Sequence, residues 1–197
     1  MLLSDKTIKS IEGMITPFQE TLQRFKFGRK KISYGLSSFG YDLTAASKDF
    51  LVFAPSWLDR VFGRAVDPKN IDKKLFKPLV IHRDSGLGDH WVELPAKSFA
   101  LLHVNEQVKL PADVTALVTC KSTYARSGLI VLTTVGEAGW QGQYVIELYN
   151  TLSLPLRVYI DEGIAQILFM RGDDRAEVSY ADRDGKYQGQ TGTQLPL

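Results

Sequence analysis

The sequence has few of the residues that build metal centres or covalent cross-links. Its 197 residues include a single cysteine, Cys120, and three histidines, His82, His90 and His103. One cysteine excludes an internal disulfide framework, and the three histidines do not have the spacings of a zinc ligand set. The sequence therefore predicts neither a disulfide scaffold nor a zinc site.

Long apolar runs and a strong net charge are also missing. No segment is apolar for long enough to cross a bilayer, and residues 1–6 lack the features of a signal peptide. The formal charge of +2 is too small to argue for nucleic acid, and no phosphate-binding loop of the Gly-x-x-x-x-Gly-Lys-Ser/Thr type occurs. We therefore expect a cytoplasmic protein without a membrane or nucleic-acid partner.

The composition is that of an ordinary globular protein, with 44% apolar and 23% charged residues. A chain of this length is most simply a single domain, 1–197. We divide it into an N-terminal helical segment (1–32), a β core (92–170) and a C-terminal tail (175–197). The tail is rich in glycine, glutamine and charge, and its composition alone predicts a mobile terminus.

The β core is predicted from short runs of β-branched, aromatic and leucine residues separated by turn residues. These runs are 98–104, 114–119, 129–134, 144–148, 156–160 and 164–170. Short strands without long helices between them indicate a mainly β fold, a barrel or sandwich. At the N-terminus, an apolar stripe predicts a helix over 4–22, capped by Ser4 or Asp5 and interrupted near Pro17.

The remaining segments give weaker signals. The basic segment 24–31 is predicted to be a solvated connector with buried rings at Phe25 and Phe27. Gly35 and Gly40 within 33–42 predict backbone turns or a close approach of another chain. The region 50–90 has no clean period; within it we expect a capping role for Asp72 and a loop over 84–90.

Chemistry-bearing side chains concentrate between Cys120 and Asn150. Lys121 and Arg126 bracket Ser122 and Thr123, a combination that binds phosphate by charge-assisted hydrogen bonds or forms a charged surface loop.

Glu147 lies within the predicted strand 144–148. Strand alternation places Val145, Glu147 and Tyr149 on one face and Ile146 and Leu148 on the other. A carboxylate at this position is either exposed on the solvent face or used as a general base and acid.

Five segments in this order resemble the motifs of dCTP deaminases, which share a superfamily with dUTPases, and they cover most of the chain. They are Ser-Tyr-Gly-Leu-Ser-Ser-Phe-Gly-Tyr-Asp (33–42), Lys-Ser-Thr-Tyr-Ala-Arg (121–126), Gly-Trp-Gln-Gly (139–142), Ile-Glu-Leu-Tyr-Asn (146–150) and Lys-Tyr-Gln-Gly-Gln (186–190). The resemblance implies a dUTPase-like β-clip fold and a homotrimer with active sites between subunits. It implies hydrolytic deamination of dCTP to dUTP and ammonia, a step of pyrimidine deoxyribonucleotide biosynthesis. Mg²⁺ is expected to enter with the triphosphate, and dTTP is a candidate inhibitor.

The resemblance also implies that the tail 175–197 folds over the bound nucleotide, and it assigns roles to residues. Glu147 is expected to be the catalytic base and acid, Ser122 to help hold the reacting water, and Arg126 to support the charge of Glu147, on a neighbouring subunit's site. The nucleotide-binding set it implies is Lys121, Ser122, Thr123, Tyr124, Ala125, Arg126, Glu137, Val145, Ile146, Glu147, Gln166, Tyr180, Lys186 and Gln190. For Gln166 the alternative is a core amide with satisfied hydrogen bonds. Zinc deaminases use a His-x-Glu…Pro-Cys-x-x-Cys signature, which this chain cannot supply.

Glu137 marks a departure from related enzymes. In dUTPases and in deaminases that release dUMP, an aspartate stands in this turn and orients the water that attacks the α-phosphate. Glutamate is longer by one methylene, and catalytic positioning tolerates little displacement, so Glu137 is expected to contact the sugar instead. The alternatives are a bifunctional enzyme that releases dUMP and pyrophosphate, a dUTPase-like pyrophosphatase, and a nucleotide-binding relative without catalysis.

Overall fold

The computed structural model describes residues 1–26, 28–84, 86 and 88–196. The helices in these ranges are short: α1 (Asp5–Ser10), α2 (Trp57–Val61) and α3 (Ser122–Arg126). The strands are β1 (Ile15–Thr16), β2 (Gln23–Lys26), β3 (Arg29–Leu36), β4 (Tyr41–Thr44), β5 (Leu51–Phe53), β6 (Phe76–Pro78), β7 (Ile81–Arg83), β8 (His90–Leu94), β9 (Phe99–Lys109), β10 (Val114–Cys120), β11 (Leu129–Leu132), β12 (Gln141–Asn150), β13 (Leu156–Tyr159) and β14 (Gly163–Arg171). None of the helices in the described ranges is long and apolar enough to cross a membrane.

The strands form three antiparallel sheets. The largest has the order β11-β12-β9-β5-β6, with β1 also paired to β9; the second has the order β10-β14-β4-β3-β2, and the third β13-β8-β7. Fully buried side chains from all three sheets, such as Leu102, Ile146, Ile167 and Leu94, form one core. The predicted mainly β fold class is confirmed.

The six strands predicted in the β core are all present, although β9 and β12 are longer than predicted. The two strands pair from Phe99 opposite Tyr149 to Lys109 opposite Gln141, with an irregularity between Gln143 and Val145. The additional residues of β9 and β12 are mostly polar and lack the pattern of β-branched residues used to predict strands. The predicted strands are therefore shorter than the observed ones. The long β9·β12 pairing forms the surface on which the site described below is built.

The helix predicted over 4–22 is wrong beyond its second turn. Ser4 caps α1 by accepting a hydrogen bond from Thr7 N, but the chain turns at Gly13, where φ is +73°. Ile15 then pairs with Val108 as part of β1. An isoleucine at helical spacing can fill a core position equally well from a strand. The apolar stripe therefore does not distinguish a helix from a strand at Ile15. The segment 1–32 therefore holds one short helix, all of β1 and β2, and the start of β3.

The segment 24–31 is not a connector. Residues 24–26 lie in β2 and residues 29–31 in β3, and these strands pair as a hairpin. The Phe25 side chain is 62% exposed rather than buried. Phe27 lies outside the described residues. Alternating charged residues on a two-stranded ribbon give the same composition as a solvated loop, which explains the wrong prediction.

The two glycines of the 33–42 segment are required by close backbone contacts. Gly35 and Gly40 have φ values of +102° and +104°. A Cβ atom at Gly35 would lie 2.6 Å from the carbonyl oxygen of Thr21, and one at Gly40 would overlap the carbonyl oxygen of Ile167. The backbone segments that approach these glycines belong to the same chain, so the approach of another chain stays a prediction.

The region 50–90 adds strands to the sheets. β5 pairs with β9 and β6 pairs with β5, which extends the largest sheet beyond β9. The Asp72 side chain caps a single 3-10 turn over Lys73–Leu75, as predicted. The described part of 84–90 is a loop up to the start of β8, and Ser85 and Leu87 lie outside the described residues.

Candidate active site

Glu147 lies in the middle of β12, between two apolar neighbours. In register it is opposite Leu101 of β9 on one side and Leu132 of β11 on the other. The predicted alternation is confirmed, because Ile146 and Leu148 are buried in the core while Val145, Glu147 and Tyr149 lie on the other, more accessible face. The strand thus presents one carboxylate on an otherwise apolar part of the sheet surface.

A cavity of about 1000 Å³ lies on this face of the sheet. Val145 and Glu147 belong to its floor, the turn 134–137 borders it, and Tyr180, Tyr187 and Gln190 from the tail contribute to its wall. A volume at the upper end of the range for small-ligand sites is large enough for a nucleotide.

One oxygen of the Glu147 carboxyl group, Oε2, is buried and has no hydrogen-bond partner among the described residues. Burial raises the pKa of this carboxyl group above its ordinary value, against a smaller opposing effect from its own backbone N–H. A buried acceptor without a donor costs free energy, and a carboxyl group with a raised pKa is suited to exchanging a proton near neutral pH. The buried Oε2 and the raised pKa make Glu147 a candidate for proton exchange with a bound molecule.

Tyr144 is a second unpartnered group at this cavity, and sequence reasoning missed it. Its buried hydroxyl has no hydrogen-bond partner among the described residues, and its ring packs against Trp140 with centroids 4.6 Å apart. A Cβ atom at Gly136 would overlap the Tyr144 hydroxyl, so glycine at 136 leaves the room for it. Alternation assigns Tyr144 to the core side of β12, opposite Glu147, and no sequence signal reveals that it also borders the cavity.

The C-terminal tail lies along β12 and closes one side of the cavity. Gln190 forms a parallel bridge with Gly142, and its carbonyl oxygen accepts a hydrogen bond from Gln143 N at 3.0 Å. Trp140 Nε1 donates to the carbonyl oxygen of Tyr187 at 3.0 Å. Gly142 permits this contact, because a Cβ atom there would lie 2.9 Å from the Gln190 carbonyl oxygen.

Glu137 meets one basic residue of the tail at the rim of the cavity. Glu137 borders the cavity, and its carboxylate pairs with the Arg183 guanidinium, which lies 5.5 Å from the centre of the Tyr180 ring. Lys186 is exposed, with its ammonium 5.4 Å from the centre of the Tyr187 ring. The carboxylate expected to meet the sugar therefore already has a cationic partner from the tail.

The residues of 121–126 lie away from this cavity. Ser122, Thr123, Ala125 and Arg126 are exposed on α3, whereas Tyr124 is buried and its hydroxyl accepts a hydrogen bond from Tyr159 N at 2.8 Å. None of the six lines the cavity that holds Glu147. Within one chain, the structure does not bring Ser122 and Arg126 to Glu147.

Lys121, predicted to bind phosphate, is engaged in a nearly buried ion pair. Its ammonium lies 2.5 Å from Asp42 Oδ2, and the two side chains are 11% and 6% exposed. Burial raises the pKa of Asp42, and the hydrogen bond from Lys121 opposes that rise. The pair joins the start of α3 to β4.

Gln166 belongs to the same region as α3. It lies on β14, opposite Thr119 on one side and Asp42 on the other, and its Nε2 donates to Ser37 Oγ at 3.2 Å. Most of the predicted site residues therefore form two groups on one chain. The cavity group contains Glu137, Val145, Glu147, Tyr180 and Gln190, and the α3 group contains residues 121–126 with Gln166 nearby. The other two predicted residues do not line the cavity: Ile146 is buried on the core face of β12, and Lys186 is exposed on the tail.

Metal ligands are not clustered in the part of the chain that the structure describes. No set of three or more histidine, cysteine, aspartate or glutamate side chains there is arranged to hold a metal ion.

An antiparallel β protein with one unpaired carboxylate at the floor of a nucleotide-sized cavity has the parts of an acid–base enzyme acting on a small molecule. The family model described as dCTP deaminase-like matches residues 3–172. The chain belongs to this dCTP deaminase-like family.

Similar proteins span the whole chain. A dCTP deaminase of Acidovorax sp. (strain JS42) is 44% identical over 196 residues, which cover 98% of this chain and 97% of the relative. A dCTP deaminase of Acinetobacter baylyi is 44% identical over 197 residues with the same coverage. The crystal structure of the 2'-deoxycytidine 5'-triphosphate deaminase from Agrobacterium tumefaciens shares the fold with a TM-score of 0.54 at 15% identity, over 87% of this chain and 48% of that one.

Proposed function

We propose that this protein hydrolyses dCTP to dUTP and ammonia. The observation that carries the proposal is the Glu147 carboxyl group, whose Oε2 is buried at a nucleotide-sized cavity without a hydrogen-bond partner among the described residues. The full-length similarity to proteins named dCTP deaminase supplies the substrate. The pathway role is provision of the precursor of dUMP and dTTP, with dTTP as a candidate inhibitor.

The carboxyl group can carry each proton transfer that the reaction needs. Ionised Glu147 takes a proton from a water molecule while the water oxygen bonds to C4 of cytosine, and the same proton passes to ring N3. The carboxylate then takes the second proton from the new C4 hydroxyl group and delivers it to the amine. The C4–N4 bond breaks and ammonia leaves. A carboxyl pKa raised by burial favours both halves of this cycle.

Zinc is not needed for this mechanism, and the single cysteine and three histidines do not supply a zinc ligand set. Mg²⁺ belongs to the substrate, because it neutralises the triphosphate with which it enters.

The α3 group is proposed to act on the site of a neighbouring subunit in a homotrimer. Ser122 and Arg126 are exposed and lie outside the cavity of their own chain. Large apolar side chains are exposed on nearby strands: Leu117, Ile130, Leu132 and Tyr149 are 36–56% exposed. An apolar surface of this kind favours burial against another chain, and cyclic symmetry would then supply each cavity with one α3.

The expected product is dUTP, with little dUMP or pyrophosphate. Glu137 is the carboxylate in the turn that would have to orient a second water, and it is paired with Arg183. The turn has little freedom to correct the longer reach of glutamate. Gly136 exchanges two backbone hydrogen bonds with Ala116, at 2.8 and 2.9 Å, and a Cβ atom at Gly139 would lie only 2.7 Å from Ser179 Cβ.

The decisive experiment is incubation with dCTP and Mg²⁺, followed by quantification of ammonia, dUTP, dUMP and pyrophosphate. We expect ammonia and dUTP in equal amounts. Glu147→Gln should still bind dCTP but lose turnover by about 10²–10⁴-fold, the usual contribution of a general base. Near-normal turnover by Glu147→Gln would remove Glu147 from the mechanism.

Pyrophosphate released in step with ammonia would instead favour the bifunctional alternative. Hydrolysis of dUTP without deamination of dCTP would favour the pyrophosphatase. Binding of dCTP without any product would favour the non-catalytic alternative. Glu137→Asp, tested in parallel, asks whether the longer side chain is what prevents pyrophosphate release.

A further inference from the structure

The cavity extends past Glu147 into a region that none of the predicted site residues occupies. We call this region the apolar compartment and define it by Phe53, Val66, Ile71, Phe76, Phe99 and Leu101, all of which line the same cavity as Glu147. None of these six side chains carries a hydrogen-bonding group. The compartment therefore has a chemistry opposite to that needed for sugar and phosphate.

Strand register places the compartment directly beside the reacting carboxylate. Leu101 is opposite Glu147, and on its other side Leu101 is opposite Leu51 of β5. Phe99 and Phe53 are two residues further along β9 and β5, on the same faces as Leu101 and Leu51. Because neighbouring strands lie about 4.8 Å apart and diagonal neighbours about 7 Å, the floor of the compartment starts next to Glu147 and continues across three strands.

The far end of this floor is aromatic. Phe76 of β6 is opposite Phe53, and their rings meet edge to face with centroids 5.6 Å apart. Val66 and Ile71, from the connection between α2 and β6, border the opening, and Val66 is 46% exposed. The compartment is thus an apolar slot with a rigid floor on strands and a border on a loop.

The chemistry of cytosine decides which edge of the base faces this slot. The reacting carbon C4 is bonded to N3 on one side and to C5 on the other. N3 and O2 need hydrogen-bond partners, and placing them against apolar side chains would leave them unsatisfied, which is unfavourable. The C5–C6 edge has no such need. With C4 held at Glu147, the base is most stable with C5 toward the apolar compartment.

We propose that the apolar compartment accepts an apolar substituent at C5 of the base, so that the protein also deaminates 5-alkyl and 5-alkynyl derivatives of dCTP. This inference rests on the proposed function, since it concerns the same site and the same bonds. Water adds at C4, ammonia leaves, and the C5 substituent is unchanged, so the product is the 5-substituted dUTP.

The test compares dCTP, 5-ethyl-dCTP and 5-propynyl-dCTP as their Mg²⁺ complexes, with kcat and KM measured for each from initial rates. 5-Methyl-dCTP is left out because its product is dTTP, the candidate inhibitor. Burying one apolar carbon contributes about 0.8 kcal/mol, so KM is expected to fall about fourfold per carbon that enters the compartment. The value of kcat should stay within about threefold, because the substituent does not take part in proton transfer.

A matched pair of variants locates the effect. Val66→Trp narrows the opening of the compartment, and Val80→Trp makes the same change at a valine that is 72% exposed and outside the cavity. We expect Val66→Trp to lower the ratio of kcat/KM for 5-propynyl-dCTP over dCTP more than tenfold, and Val80→Trp to leave this ratio unchanged. Ile71→Phe serves as a second variant that fills the compartment from its border.

Two results would overturn the proposal while leaving dCTP deamination intact. One is a parent protein that turns over dCTP but uses 5-propynyl-dCTP more than tenfold less efficiently, as when a second subunit fills the compartment. The other is an equal loss of selectivity in Val66→Trp and Val80→Trp. If dCTP itself is not deaminated, the proposed function fails. Calorimetry of dUTP and 5-propynyl-dUTP binding then tests separately whether the apolar compartment accepts a C5 substituent. Tighter binding of 5-propynyl-dUTP supports the proposal, and equal or weaker binding overturns it.

Discussion

The Glu147 carboxyl group is partly buried, and its Oε2 accepts no hydrogen bond among the described residues. Carboxylates that stabilise a fold are instead hydrogen-bonded or paired with a cation. The neighbours of Glu147 across the strands, Leu101 and Leu132, cannot donate a hydrogen bond. The folded chain therefore carries a local cost, and such costs are concentrated where a bound ligand relieves them. The raised pKa of this carboxyl group has the same cause, because burial disfavours its ionised form.

This cost predicts how stability depends on pH. The pKa of Glu147 is higher in the folded protein than in the unfolded chain, so between these two values the folded state binds more protons, and stability falls as pH rises. Glu147→Gln removes the charge, and we expect it to raise the Tm of the unliganded protein by a few degrees at pH 8. The difference should shrink toward zero below the ordinary glutamate pKa of about 4.3.

Thermal unfolding of the parent and the variant across this pH range provides the measurement. Glu177→Gln, at an exposed position of the tail, is the control for loss of one negative charge. A Glu147→Gln protein that is less stable than the parent at pH 8 would contradict the argument.

Part of the candidate site could be predicted from the sequence. Alternation along one strand is a local property, so the face that carries Glu147 could be predicted. The lack of a donor to Oε2 depends on which residues stand opposite it on β9 and β11, and the sequence does not specify that register. Lys121 pairs with Asp42, 79 residues away, and Tyr144 reaches the cavity next to a strand irregularity. These features arise from tertiary contacts, which single-strand patterns do not contain.

At the scale of elements, the two large sheets are joined through a buried carboxyl group. Glu106 of β9 accepts hydrogen bonds from Thr44 N at 3.0 Å and from Thr44 Oγ1 at 2.9 Å, across to β4. Asn105 Nδ2 donates to the same Thr44 hydroxyl at 3.0 Å. Burial raises the pKa of Glu106 to about 7, and the hydrogen bonds from Thr44 oppose that rise.

This junction predicts a second pH effect, in a range that differs from that of a surface carboxylate. The folded-state pKa of Glu106, about 7, lies above that of the unfolded chain, so its contribution to stability is lost as pH rises from about 4.3 through 7. By this linkage the parent should lose on the order of 3 kcal/mol at pH 8 relative to pH 4 through this group. Glu106→Gln keeps a hydrogen-bonding side chain without the charge and should flatten the profile.

Urea unfolding of the parent and Glu106→Gln at several pH values isolates this contribution, because all other titrating groups are shared. Glu106→Leu is the companion variant: it removes the hydrogen bonds with the charge and should unfold more easily at pH 5. An identical pH slope in the parent and Glu106→Gln would show that the carboxyl group titrates normally.

The elements themselves differ in how far local sequence determines them. The strands of the β core are dense in β-branched residues and are bounded by turns, so local preference and tertiary pairing agree. The N-terminal segment has no such agreement, because Ile8 and Ile15 fit a helical stripe while Ile15 pairs with Val108 of β9. Pairing with a long central strand outweighs a helix propensity of a few tenths of a kcal/mol per residue.

At the scale of the whole molecule, the predicted site residues of one chain lie in two separate places. The cavity group lies under the tail, on the outer face of the largest sheet. The α3 group follows β10 of the second sheet, with Ser122 and Arg126 exposed. A complete site in a homotrimer would then combine the cavity of one subunit with α3 of the next.

Shared sites predict that two inactive variants complement each other. Glu147→Gln lacks the base but has an intact α3, and Arg126→Ala has an intact cavity but lacks the cation. Each alone should be inactive or nearly so. In a trimer assembled at random from equal amounts of the two, a site works when its cavity comes from the Arg126→Ala chain and its α3 from the Glu147→Gln chain, which is about one quarter of the sites. We therefore expect co-refolded mixtures to recover about one quarter of the parent's kcat, and mixtures kept as separate assemblies to recover none.

Co-refolding Glu147→Gln with the double variant Glu147→Gln/Arg126→Ala is the control, because no subunit then supplies the base. Failure of the co-refolded mixture, with a trimer shown by light scattering, would place Arg126 and Glu147 in the same subunit's site or remove Arg126 from catalysis.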